Sequence, residues 1–348
     1  MSMRAALITK QAEPVAPNVT LVDDHPLPEP RPGEVRVRTL AAALNHLDLW
    51  VGKGVPGMEL DYPRISGSDA CGVVEAIGEG VDPDWAGKRV VLNAAVPVIP
   101  ENHPDVAPVM TDIHMIGEHS NGCMAERFIA PADNILHVPE DCDPVEAAAF
   151  GLTHLTAWRM LVSQAGLAPG MSVLITGIGG GVALACLNIC RHLGCRTIVT
   201  SRRQWKLDKA IELGADHIVL DKGEDWSKPV RQFTHKRGVD ICADSIGRAV
   251  HESCIKSLAH GGTFVTCGCT SGPIAQTNLA RMFWLQQRII GSTMGDMQEF
   301  RKVIAIFSGG FMKPVIDKTY DAKDVRKAYA RLETGEQFGK VVVRWAEK

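Results

Sequence analysis

The sequence predicts an α/β protein of two domains, one mainly β and one built on a doubly wound parallel sheet. Three observations carry this. From Met171 to about Gly291, β-rich apolar runs alternate with helical patterns, the mark of a parallel sheet with right-handed crossovers. Inside that stretch a glycine run, Gly179-Gly180-Gly181, stands between a strand-like run and an amphipathic helical pattern. Ahead of it, to about residue 150, the chain is rich in Pro, Gly and short β-like runs. A chain of 348 residues accommodates about two domains and buries a sizeable core without staples.

In the first region, Glu34-Val-Arg-Val-Arg-Thr39 alternates as a half-buried strand does. Cys71–Ile77 and Gly87–Leu92 read as further strands bounded by glycine and proline. Residues 93–117 hold four prolines and no convincing period, so they read as a long surface excursion. The parallel strands expected next are Ser172–Thr176, Thr197–Thr200, His217–Leu220, Val239–Cys242, Thr263–Thr266 and Arg288–Gly291, with helices between them, notably 181–193 and 203–213. Two more helical patterns follow, and Lys340-Val-Val-Val-Arg344 closes as a strand. That tail has nothing of its own to pack on, so it is expected to return to the first domain. The expected division is 1–152 with 291–348, and 153–290.

Composition narrows the function. With 37 basic and 40 acidic side chains the net charge is −3, which gives no electrostatic reason to expect nucleic acid or an anionic membrane as partner. No apolar run approaches the ~20 residues of a membrane span, and Met1–Lys10 lacks the layout of a signal peptide. A soluble cytoplasmic protein acting on a small molecule is expected. The ten cysteines include no C-x-x-C pair, and none falls between Cys71 and Cys123. Several lie in apolar runs, as reduced core cysteines do.

The segment Val173-Leu-Ile-Thr-Gly-Ile-Gly-Gly-Gly-Val-Ala183 has the strand–turn–helix context of a dinucleotide fingerprint. Gly179, Gly180 and Gly181 permit a tight turn and close approach to a pyrophosphate. Val182 and Ala183 open the helix, whose free N–H groups favour an anion. The next strand ends Val199-Thr200-Ser201-Arg202-Arg203, with Lys206 after it. No carboxylate stands there to hold a ribose 2′-hydroxyl or repel a 2′-phosphate. Ser201, Arg202 and Lys206 favour NADP(H); the alternative is a solvated basic helix start.

These segments, with Pro32–Val37, Asn45-His-Leu-Asp48, Gly67-Ser-Asp69 and Leu213-Gly-Ala-Asp216, resemble the medium-chain dehydrogenase/reductase superfamily along essentially the whole chain. The sequence is similar to its quinone-oxidoreductase and enoyl-reductase branch, with neighbours among zinc-type alcohol dehydrogenases and acryloyl-CoA reductases. The resemblance implies a GroES-like substrate domain, a Rossmann domain and a cleft between them. Zinc-dependent members carry a catalytic Cys, His and Cys with a carboxylate directly after the His. The matching positions here are Asn45, Ser68 and Leu152, with Asp69 following. Residues 93–117 lack the four cysteines of a structural zinc lobe. They hold His103, Asp112 and His114, with His119 nearby, and these read as loop histidines rather than a replacement site. No zinc is expected at either place.

Without a Lewis acid, hydride delivery to a quinone or an α,β-unsaturated carbonyl is the favoured chemistry, because the developing charge spreads to an oxygen that hydrogen bonds can stabilise. The resemblance makes Asn45 the leading candidate to bond a carbonyl oxygen; the alternative is a helix cap. Asp48 reads as a structural cap. Asp69, beside the lost ligand, is expected to pair with Lys340 of Phe338-Gly-Lys340, a lysine that resembles a cofactor-side cation of the family; both could equally be surface charges. Tyr62 is a candidate proton donor to the substrate α-carbon, with solvent as the alternative. Trp50, His46 and His119 are candidates to line the substrate pocket. His46, His119 and His154 compete as general acids but read more readily as packed or capping residues. Thr156, Gly268, Cys269, Thr270 and Met294 are the remaining cofactor-side candidates. The strand Arg288–Ile290 is a candidate edge for pairing with a second copy. The expectation is a metal-free NADPH-dependent reductase. Alcohol or aldehyde interconversion is the alternative, and a cofactor-binding protein without turnover a further one.

Overall fold

The chain begins with an antiparallel hairpin, β1 (Ser2–Ile8) on β2 (Val19–Pro26), in a computed structural model that describes residues 1–55, 57–98 and 112–346. The next strand, β3 (Glu34–Leu44), runs well past the alternating stretch the sequence displays. Its first residues alternate between half-buried and buried, but from Thr39 onward every residue is buried. A strand covered on both faces loses its two-residue rhythm, so the pattern understates its length. Helix α1 (His46–Lys53) follows directly, and β4 (Arg64–Ile65) pairs back on β1.

Around β3 lie β5 (Ala70–Ile77), which pairs with it antiparallel, and β6 (Arg89–Leu92), which pairs with β5. The expected excursion is not wholly structureless. At its two ends β7 (Ala95–Pro97) and β8 (Ile113–Met115) pair antiparallel; strands of three residues are too short to show a period. Residues 99–111, His103 among them, lie outside the described residues. Strands β9 (Arg127–Pro131) on β3 and β10 (Ile135–His137) on β6 complete this part, and α2 (Pro144–Trp158) follows.

The second unit is a six-stranded parallel sheet. Its strands are β11 (Ser172–Ile175), β12 (Arg196–Ser201), β13 (His217–Leu220), β14 (Val239–Asp244), β15 (Leu258–Thr266) and β16 (Arg288–Gly291), in the order β13-β12-β11-β14-β15-β16. Between them run α3 (Gly181–His192), α4 (Gln204–Glu212), α5 (Ser227–Phe233), α6 (His251–Ser257) and α7 (Leu279–Trp284). The chain order reverses beside β11, and in such sheets ligands bind outside the carboxyl ends of the strands at that point.

The tail then supplies α8 (Met297–Ser308), β17 (Ile316–Asp321), α9 (Val325–Glu333) and β18 (Lys340–Arg344). Strand β18 pairs antiparallel with β3, from Val341 opposite Leu44 to Arg344 opposite Ala41. Helix α9 buries Val325, Ala328, Tyr329 and Leu332, a stripe at helical spacing that packs on the same core as β3 and β18. The compact units are accordingly Met1–Leu152 with Gly295–Lys348, and Thr153–Met294; the second crossing falls four residues beyond the position read from sequence. All ten cysteines are free, and seven of them are buried.

Candidate active site

In the first unit, three segments distant in sequence deliver polar side chains to one buried place. The backbone leaves β3 at Asn45, which is extended (φ −126°, ψ 163°) and caps α1. Its N–H donates to the Asp48 carboxylate at 2.7 Å. Asp69 immediately precedes β5, and its carbonyl accepts from the Ala43 N–H at 2.8 Å. Lys340 opens β18 after Gly339, which stands at φ +116° where a Cβ would lie 2.4 Å from the Val315 oxygen. Only glycine lets the chain pass that close.

The Lys340 ammonium donates to Asp69 Oδ2 at 3.0 Å and to Asn45 Oδ1 at 2.5 Å. Asp69 and Lys340 are 1% and 4% exposed, so this is an interior ion pair and neither is a surface charge. The second Asp69 oxygen accepts from the Leu152 N–H at 3.1 Å. Burial raises the carboxyls of both Asp69 and Asp48, against the pull of Lys340. The Asn45 Nδ2 makes only long contacts, 3.4 Å to the Ala43 oxygen and 3.5 Å to Asp69. That amide is at once the cap residue's side chain and a donor with loosely held hydrogens. Beside it lies a pair sequence reasoning missed: Ser66 Oγ and the fully buried Tyr329 hydroxyl are 2.5 Å apart.

Other sequence candidates fall elsewhere. The Tyr62 hydroxyl donates to the Val51 carbonyl at 2.5 Å and its ring packs against the core; its proton holds α1 rather than standing free for transfer. His119 is exposed and its Nδ1 accepts from the Met115 N–H at 3.0 Å. The His114 and His119 rings tilt against each other at 5.3 Å. His46 is exposed and Trp50 half-buried on α1. His154 is buried, its Nε2 bonded to Asn188 at 3.3 Å, a packed histidine in the second unit.

In the second unit, the fingerprint candidates gather at the carboxyl end of the parallel sheet. After β11 the backbone turns through Gly177 (φ +64°) and Gly179 (φ +113°). The Ile178 N–H donates to the Thr200 carbonyl at 2.8 Å, which pins the turn to β12. Gly180 caps α3 without a side chain, so the first N–H groups, those of Gly181 and Val182, have no side-chain cap. Thr176 donates to Asp244 at 2.6 Å, tying β11 to β14. At the end of β12, Ser201 Oγ accepts from the Arg203 N–H at 3.2 Å, and Arg202 is exposed. Lys206 is not a solvated helix-start cation: it is buried on α4, its ammonium 5.3 Å from the Trp205 ring centre. Gly268, Cys269 and Thr270 follow β15, where Thr270 Oγ1 donates to the Ser245 carbonyl at 3.4 Å. Met294 follows β16, and Thr156 is buried on α2.

The Alcohol dehydrogenase GroES-like domain matches residues 31–140, and the Zinc-binding dehydrogenase domain matches 181–309. A zinc-type alcohol dehydrogenase-like protein of Leptosphaeria maculans is 32% identical over 91% of this chain and 92% of its own. A crotonyl-CoA reductase of Streptomyces avermitilis is 27% identical over 98% of this chain and 85% of its own. The crystal structure of an NAD-dependent alcohol dehydrogenase superposes with a TM-score of 0.90 at 36% identity, covering 99% of this chain and 100% of that one. The chain belongs to the medium-chain dehydrogenase/reductase superfamily. It is an oxidoreductase of that family, with a GroES-like domain and a Rossmann-type parallel-sheet domain.

The family implies two groups, zinc and a nicotinamide dinucleotide, and the residues fit them unequally. At the ligand positions Asn45 is bound to an ammonium, the Ser68 hydroxyl donates to the Ile116 carbonyl at 2.7 Å, and Leu152 offers no side-chain donor. Zinc requires thiolate, imidazole or carboxylate in tetrahedral number. This donor set does not fit it, and Lys340 already places a cation against Asp69. The uncapped α3 terminus and the glycine turn do fit a pyrophosphate.

Proposed function

We propose that the protein is an NADPH-dependent reductase that delivers hydride to an activated C=C bond, in an enone or enoyl thioester, or to a quinone, without a metal ion. The observation that carries this reading is the buried Lys340–Asp69–Asn45 cluster, in which Asn45 stands at one ligand position of the zinc-dependent relatives and Asp69 directly follows another. Bound NADPH would supply the hydride. The α3 N–H groups and the glycine turn hold its pyrophosphate, and Ser201 with Arg202 receives the 2′-phosphate. Asp69 fixes Lys340, and Lys340 fixes the Asn45 oxygen, so the Asn45 amide hydrogens are oriented toward an acceptor oxygen as charge develops there. The crotonyl-CoA reductase relative supports the acceptor class. The alcohol dehydrogenase names among the relatives support the competing reading, alcohol or aldehyde interconversion, to which the donor set is ill suited.

The test follows NADPH absorbance with chelator-treated protein against 1,4-quinones, enones, enoyl-CoA thioesters and simple aldehydes. Turnover of quinones or conjugated carbonyls, unchanged by chelator, is expected. Activity confined to simple aldehydes and lost with chelator would replace this reading with the alcohol dehydrogenase one, and binding without any turnover would indicate a sensor. Arg202→Asp is expected to shift the preference from NADPH toward NADH by about tenfold or more, since one charge-assisted bond contributes about 1.5–3 kcal/mol. We further propose that the protein acts in the cytoplasm as a homodimer, paired through β16.

A further inference from the structure

The Asp69 carboxylate that holds Lys340 has no regular element beneath it. It ends the segment 66–69, which links β4 to β5, so its place is set by what fastens that segment. One set of fastenings comes from residues 116–124. The Met124 N–H donates to the Ser66 carbonyl at 2.9 Å, and the Cys123 N–H donates to the Gly67 carbonyl at 3.0 Å. Gly67 stands at φ +104°, where a Cβ would lie 2.7 Å from the Met124 nitrogen. The Ser68 hydroxyl donates to the Ile116 carbonyl at 2.7 Å. A separate fastening comes from the tail, where the Tyr329 hydroxyl meets Ser66 Oγ at 2.5 Å.

Tyr329 is well placed to bear on that segment. It is fully buried on α9, and α9 is anchored at both ends. Arg326 Nε donates to the Val19 carbonyl at 2.9 Å, and the Glu333 carboxylate accepts from the Val15 and Ala16 N–H groups at 2.7 and 3.2 Å. Burial, and after it the Asp48 carboxylate, push the Tyr329 phenol well above its ordinary value, so the hydroxyl keeps its proton. For packing on the apolar stripe of α9 a phenylalanine would serve as well. A buried hydroxyl pair adds little net stability. It is directional, however, and fixes a position where apolar contact would tolerate sliding.

We infer that Tyr329 is a positioning residue of the proposed reductase: through Ser66 it holds the segment that carries Asp69, and so sets Lys340 and the Asn45 amide for the reaction. The inference rests on the reductase reading above. From Ser66 the backbone runs three residues to Asp69. Asp69 Oδ2 accepts from Lys340 at 3.0 Å, and Lys340 donates to Asn45 Oδ1 at 2.5 Å. These links are polar and buried, so water does not make good a lost one. A displaced carboxylate therefore displaces the ammonium and the amide, and the amide must face the oxygen on which charge develops.

The experiment compares the full-length parent with Tyr329→Phe, Ser66→Ala and the double variant. With 1,4-quinones and enones as acceptors, kcat should fall about 10- to 100-fold in each, with KM for NADPH unchanged. Each single variant orphans one buried hydroxyl and should melt at a lower temperature. The double variant orphans none and should recover the melting temperature, while its kcat stays down; a merely structural role would not give that split. Leu332→Val, on the same stripe of α9, should keep the parent's kcat. Amide exchange over residues 66–70 and 123–124 should quicken in Tyr329→Phe, a readout that needs no turnover. A parental kcat in Tyr329→Phe, or a kcat that recovers with the melting temperature in the double variant, would overturn the inference. An equal loss in Leu332→Val, or unchanged exchange, would do the same. A parent that turns over none of the acceptors sinks the reductase reading instead, and the exchange comparison alone then decides the fastening. Should Tyr329→Phe fail to fold, Ser66→Ala reads the same contact from its other side.

Discussion

At the scale of single residues, the cluster around Lys340 turns on desolvation. An ammonium and a carboxylate that are both buried have surrendered their hydration, and each is tolerable only because the other is present. Lys340→Met should therefore destabilise the protein by about 3–5 kcal/mol. Adding Asp69→Asn should restore more than half of that loss, because the stranded charge goes with it. Urea denaturation of the two variants decides this, and a double variant no more stable than the single would refute the coupling. Asp48 gives a pH signature. Burial raises its carboxyl despite the Asn45 N–H and Lys340, so the folded state holds the proton more tightly than the unfolded chain. Its stabilising contribution is complete below the unfolded value of about 3.9 and is lost as pH rises through the raised folded value. Asp48→Asn removes that titration. The variant's stability relative to the parent should climb from about pH 4 toward neutrality, and a pH-independent difference would exclude it. The residues themselves are 271 positions apart in the case of Asp69 and Lys340, so spacing could not join them; resemblance did. Tyr329 escaped notice because its place on the apolar stripe of α9 hides the hydroxyl that meets Ser66.

At the scale of elements, legibility followed length and burial. The parallel strands β11, β12, β14 and β15 were readable because buried runs between turn residues carry a continuous apolar signal, and the half-buried β13 and exposed β16 because β-branched residues stand at their centres. The turn after β11 was readable for the same reason that it suits a phosphate: successive glycines reverse the chain and leave N–H groups uncapped. Strands β4, β7 and β8 have two or three residues and leave no such mark. The β11–α3 turn also yields a prediction. Gly179 stands at φ +113°, where a Cβ costs about 1–2 kcal/mol. Gly179→Ala should lower stability by that amount and weaken NADPH binding more than tenfold, since a relaxed turn moves the N–H groups away from the pyrophosphate. Calorimetric titration beside thermal melting separates the two effects. Unchanged affinity in a destabilised variant would remove this turn from the cofactor site.

At the scale of the whole molecule, the proposed dimer rests on what β16 leaves uncovered. It is the terminal strand of the six-stranded sheet, bonded on one side only, to β15. An edge of this kind presents a row of free N–H and C=O groups, and soluble proteins usually blunt it with charge, a bulge or a cover. Here the strand carries Ile289 at 39% exposure, and the residues leading into it include Leu279, Phe283 and Trp284, each at least 70% exposed. So many large apolar side chains in one short stretch of surface are what the proposed pairing would cover. A second copy of the same strand, related by a two-fold axis, would satisfy the backbone groups and bury the side chains together. Light scattering should then give twice the chain mass at micromolar concentration. Ile289→Lys should shift it toward the single chain mass, because a like charge from each copy would meet at the paired edge. Trp284→Asp should do the same by removing apolar area, with the β11–α3 turn and its cofactor binding left intact. A parent that stays at single mass at high concentration would show that β16 is not a pairing edge, whatever covers those side chains.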